Sequence, residues 1–139
     1  MKVKEVMHRG ATCVAPNASV REIATRMRDG DVGAIPVKSD GRLIGIVTDR
    51  DIACRGLADS GDIDRMTAQD VMTENVVCCS PDEDVEAAIQ LMEEKQIRRL
   101  PVIDAQKKMM GMLSLGDISH QVGSNLSGEV LRAVSDHHA

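Results

Sequence analysis

Apolar positions along the 139-residue chain switch between two periods. Val20, Ile23, Ala24 and Met27 recur at the spacing of one helix face, behind Ser19-Val20-Arg21-Glu22, a capping box in which hydroxyl and carboxylate each satisfy a backbone N–H. Gly30 is placed to stop that helix. Ala34-Ile35-Pro36-Val37 and Leu43-Ile44-Gly45-Ile46-Val47 flank Ser39-Asp40-Gly41-Arg42, which predicts a hairpin bent at Asp-Gly. The same order returns later. A helix from Asp84 carries Val85, Ala88, Ile89 and Met92 on one face, with Glu86 at its positive end, and Leu100-Pro101-Val102-Ile103 pairs with Met109-Met110-Gly111-Met112-Leu113.

The return is a true repeat. Val6-Met7 matches Val71-Met72, Cys13 matches Cys78, Pro16 matches Pro81, Met27 matches Met92 and Pro36-Val37 matches Pro101-Val102, all 65 residues apart. After the hairpin turn the spacing becomes 66, so the added residue falls in the turn at 104–108, where length costs little. Each repeat therefore opens with a Val-Met segment and a brief strand, at 12–14 or 76–79, ending at proline. The repeats are placed at 1–57 and 71–122, joined by a linker at 58–70. A short helix at 126–133 and a frayed end at 135–139 make up a C-terminal piece, 123–139. Proline this early in a strand suits a sheet edge, where spare backbone groups could read the edge of an adenine.

One stretch occurs twice with its polar residues in register. Gly45-Ile46-Val47-Thr48-Asp49-Arg50-Asp51-Ile52 reappears as Gly111-Met112-Leu113-Ser114-Leu115-Gly116-Asp117-Ile118. An apolar run feeding a hydroxyl, with Asp three residues on, predicts a strand running into a helix start. Free N–H groups there can hold an anion, and an ionised Asp, which only accepts, suits a diol. A Ser/Thr-x-x-Asp at a helix start is equally a capping box.

Composition narrows the chemistry. The chain has no Phe, Tyr or Trp and nine Met, so its core is aliphatic and adaptable, and any base-stacking surface must be aliphatic, Met or Arg. A net charge of −5 without a basic run argues against nucleic-acid binding, and no apolar segment reaches the roughly 20 residues of a membrane span. With no signal-type N-terminus, a cytoplasmic location is expected. Cys13, Cys54, Cys78 and Cys79 form no CxxC pair, and Cys13 and Cys78, in matching places, are expected as small buried strand thiols. His8, His120, His137 and His138 have no positional link to a nucleophile, so no catalytic apparatus is expected.

The doubled Gly, two apolar, Ser/Thr, two residues, Asp pattern resembles the paired cystathionine-β-synthase-type repeat, the CBS or Bateman module, over roughly 3–122. The resemblance implies an α/β (α+β) fold of two tandem β-α-β-β-α CBS repeats related by pseudo-twofold symmetry. It further implies a regulatory module that binds AMP, ADP, ATP or S-adenosylmethionine between the repeats, with no obligatory cofactor. Carried over, Thr48 with Asp51 and Ser114 with Asp117 hold phosphate and ribose, and Arg98 and Arg99 meet phosphate, with Arg50 a further candidate. Thr48 and Asp51 would face Val77, Ile97 and Arg98, and Ser114 and Asp117 would face Thr12, Val32, Gly33 and Ala34. A homodimer is expected through apolar helix faces at 52–57 and 118–122, with a protein partner reading the ligand state. Two rivals stand beside this reading: an interaction or assembly module with vestigial sites, and a metal or redox responder using Cys13 and the histidines.

Overall fold

The computed structural model describes residues 1–59 and 61–121, which form two compact units. One joins Met1–Ala11 to the chain from Val77 onward, and the other is Thr12–Val76. The leading segment of each sequence repeat thus packs with the body of the other repeat, a partition different from 1–57 and 71–122. The helix expected at 126–133, the end at 135–139, Val122, His137 and His138 lie outside the described residues.

The unit Thr12–Val76 is built on helix α2 (Val20–Gly30) and the antiparallel pair β1 (Ala34–Ser39) and β2 (Arg42–Thr48). Ser19 Oγ accepts the Glu22 N–H at 3.1 Å and caps α2, but only this half of the expected capping box forms, since the Glu22 carboxylate accepts from Arg26 at 3.2 Å. The helix stops at Gly30 as expected, but the left-handed cap is not the glycine. It is the last helical residue, and Asp31 takes the left-handed conformation at φ 51°, which a short polar side chain tolerates. Asp40 and Gly41 have φ of 54° and 79°, as a type I′ hairpin turn needs. Helix α4 (Ala68–Val71) returns to this core: Ala68 N–H donates to Ala18 O, and Ala68, Val71 and Met72 pack with Val20, Ile23 and Val47. The expected linker is therefore part element, with a 3-10 turn at Ile63–Arg65 and α4 beginning before its end.

The other unit repeats the design with helix α5 (Val85–Lys95) and strands β3 (Arg99–Ile103) and β4 (Met109–Ser114). Helix α1 (Val3–Val6) takes the place that α4 takes in its own unit, and Val3, Val6 and Met7 join Ile89, Met92, Leu100, Leu113 and Ile118 in one core. The turn with the extra residue is closed by Asp104, whose Oδ1 accepts N–H groups of Gln106 and Lys108 at 2.8 and 2.9 Å.

Four further expectations are corrected. The brief strands shrink to single bridges, Val14 with Val37 and Cys79 with Val102. Those bridges also occupy the outer edges of β1 and β3: Pro36 O accepts the Val14 N–H and Pro101 O the Cys79 N–H, so these carbonyls are not the unpaired edge that was expected. Alternation along the bridge segments turns Val14 and Cys79 inward, leaving Cys13 and Cys78 half-buried and Cys79 the buried thiol. Of the two expected apolar helix faces, Leu57 is 62% exposed, but Ile118 is fully buried in its own core.

Candidate functional site

Both motif copies sit where a strand enters a helix. In the unit Thr12–Val76, β2 ends at Thr48 and helix α3 (Asp49–Asp51) follows, continuing as a π-helix over Ile52–Ala58. Thr48 Oγ1 accepts the Asp51 N–H at 3.1 Å, and Asp51 Oδ2 accepts the Thr48 N–H at 2.9 Å, a complete capping box. Thr73, the residue after Met72, adds its hydroxyl to the same carboxylate at 3.4 and 3.5 Å. Asp49 closes the other side: its N–H donates to Gly33 O at 3.0 Å, and its Oδ2 lies 3.1 Å from where a Cβ on Gly33 would stand. Ala34 pairs with Thr48 across the ladder. Val32 is half-buried and held by its N–H to Met27 O, while Thr12 is exposed and shows no bond to this group.

In the other unit β4 ends at Ser114 and helix α6 (Leu115–Gln121) follows. Ser114 Oγ accepts the Asp117 N–H at 3.0 Å, but the bond is not returned: among the described residues the Asp117 carboxylate accepts none. Arg99 pairs with Ser114 across the ladder, and Arg98 O accepts the Leu115 N–H at 3.0 Å. Both arginines are exposed. Val77 and Ile97 pack, half-buried, against the core of this unit. The two junctions thus differ in charge. Asp49 and Asp51 with Arg50 crowd one, whereas Asp117 shares the other with Arg98 and Arg99, which favours a phosphate there.

The approach of the Val-Met segments explains the motif glycines. Met7-His8 lies against β4 by reciprocal bonds between His8 and Met112, and Met72-Thr73 lies against β2 by the same bonds between Thr73 and Ile46. A Cβ on Gly111 would stand 2.7 Å from His8 O, and one on Gly45 2.5 Å from Met72 Sδ. Thr73, which reaches Asp51, and His8, in the matching place against β4, escaped the sequence reading. The register Val6-Met7-His8 against Val71-Met72-Thr73 was the signal that could have found them.

The pattern of the CBS domain family matches residues 3–55 and 68–124. The chain belongs to that family. It is 39% identical over 134 residues to the CBS domain-containing protein YhcV of Bacillus subtilis (strain 168), covering 96% of this chain and 94% of that one. Among solved structures, Hypoxic Response Protein I with two coordinated zinc ions is 31% identical with a TM-score of 0.80, covering 88% of this chain and 100% of that one. The CBS domain pair of protein MJ0100, in complex with 5′-methylthioadenosine and S-adenosyl-L-methionine, is 27% identical with a TM-score of 0.75, covering 93% of this chain and 98% of that one. This CBS pair has mixed helix and strand and two small antiparallel sheets. Among its described residues no helix is long and apolar enough to cross a membrane. Nor does any cluster of three His, Cys, Asp or Glu stand ready for a metal among them.

Proposed function

We propose that this CBS pair is a regulatory module that binds an adenosine-containing nucleotide and signals to a partner, as a homodimer in the cytoplasm. The observation that carries this is the Asp117 carboxylate, which accepts no hydrogen bond among the described residues and stands beside Ser114 and two exposed arginines. A carboxylate accepts from the two hydroxyls of a ribose, and guanidinium groups match phosphate oxygens. In this reading Ser114, Asp117, Arg98 and Arg99 contact nucleotide at one junction, and Thr48, Asp51, Gly33 and Ala34 form the counterpart at the other. Thr12, Val32, Val77 and Ile97 complete the proposed ligand surface. The adenosine ligands of the MJ0100 pair support the ligand class.

Calorimetry with adenosine, AMP, ATP and S-adenosylmethionine on the parent chain tests it. Arg98→Ala should weaken ATP by about tenfold and adenosine little, and should reduce the salt dependence of binding, since its target is phosphate. Absence of binding below about millimolar for all of these overturns the nucleotide reading. Stoichiometric zinc in the purified protein, measured by mass spectrometry, would favour the metal responder instead.

A further inference from the structure

The two junctions carry the same motif but not the same neighbour. Thr73 places its hydroxyl on both oxygens of Asp51, at 3.4 and 3.5 Å, while Thr48 N–H holds Oδ2 at 2.9 Å. A hydroxyl donating to that carboxylate is what a ribose would offer it. In the other unit His8 holds the corresponding ladder position, bonded through its backbone to Met112 as Thr73 is to Ile46, and its side chain makes no bond to Asp117.

We infer that Thr73 is a built-in competitor for the diol position on Asp51, and that His8, by not supplying a hydroxyl, leaves the Asp117 junction as the one that takes nucleotide. The inference rests on the nucleotide reading above and adds which junction fills and which residues decide it. Thr73 sets a bias and not a block, because its contact is longer than the 2.5–3.0 Å of a strong O–H···O bond. Asp49 adds to the bias at that junction, its carboxylate lying on the Gly33 side and repelling a phosphate.

Two single substitutions exchange the neighbours. Thr73→Val keeps the shape and removes the donor, and His8→Thr installs one. With AMP followed by calorimetry, the parent should bind one equivalent tightly. Thr73→Val should strengthen the weaker site by about fivefold, and His8→Thr should weaken the tighter one by a similar factor, the worth of one modest hydrogen bond. Two equal sites in the parent, or no change in either variant, overturn the inference while leaving the nucleotide reading intact. No AMP binding in any of the three proteins sinks that reading. A ligand-free measurement separates the cases: urea unfolding of Thr73→Val, Asp51→Asn and the double variant should show coupling, whereas His8→Ala with Asp117→Asn should be additive. Additivity at Thr73 and Asp51 would remove the competitor outright.

Discussion

Asp51 and Asp117 stand at the same step of the same motif, yet among the described residues the carboxylate of one is consumed by its own fold and that of the other is not. Asp51 closes a capping box with Thr48 and meets Thr73, whereas among the described residues Asp117 lends only its N–H to Ser114. The difference lies in the neighbours. Asp49 and Thr73 surround the first, and Leu115, buried in the core, and His8 stand in their places at the second. A duplicated motif can thus give one junction that spends its polar groups on stability and one whose carboxylate stays open, and a carboxylate whose acceptors are filled must give up bonds before it can bind anything else.

The sharpest way to break the symmetry is at the motif glycines. Gly111→Ala drives a Cβ to 2.7 Å from a backbone oxygen, His8 O, which cannot move without pulling the Met7-His8 segment off β4. Gly45→Ala meets a Met72 sulfur first, at 2.5 Å, and a thioether can swing aside, although Thr73 O at 3.1 Å limits the room. Both should destabilise by about 1–3 kcal/mol in urea unfolding, Gly111→Ala at the upper end or beyond. Equal losses would mean that Met72 is as rigid as backbone.

The aspartates give the next effect, and they should fail in opposite ways. Asp51→Ala removes half of a capping box and should cost about 1 kcal/mol of stability with little change in the tighter nucleotide affinity. Asp117→Ala, which removes a carboxylate that accepts no bond among the described residues, should leave stability within about 0.5 kcal/mol and reduce AMP affinity by about tenfold or more. Paired unfolding and calorimetry read both quantities. A large stability loss at Asp117 with unchanged affinity would turn it into an ordinary cap.

Local chemistry was legible in the sequence where one residue decides it: Ser19 caps α2, and Asp40-Gly41 bends its hairpin as expected. Val85, Ala88, Ile89 and Met92 are buried as their spacing demands, and so are Val20, Ile23 and Met27, whereas Ala24, expected on the same face, is exposed. What the sequence did not display was exchange. Val3 and Val6 fit either core by hydrophobicity, and it is the bonds of Val3 to Glu83 and of His8 to Met112, with the lack of a Cβ on Gly111, that show which they join. Cysteine burial went astray for a similar reason. The period of a strand is two, so reading the inward residue one position early moves it to the other face.

Cys79 offers the last contrast, because its match in the other unit is Val14, and both are buried at the single bridge that flanks their hairpin. Burial first, and then the charges of Glu83 and Cys78, push the Cys79 thiol up to about 12 from an ordinary 9.0. The folded protein therefore holds this proton over a range where the unfolded chain releases it. The sign follows: the stability due to the neutral thiol is complete below pH 9 and is lost as pH rises from there toward about 12. Val14 has no such dependence. Cys79→Val should accordingly leave stability near pH 7 within about 1.5 kcal/mol, as volume-conserving core changes do, and should flatten the alkaline fall in urea midpoint relative to the parent. Thiol labelling of the native parent should follow the same order of burial, with exposed Cys54 first, half-buried Cys13 and Cys78 next and Cys79 last. If Cys79 reacts as fast as Cys54, its bridge to Val102 opens far more readily than a core contact should, and the two units would differ in local stability rather than only in charge.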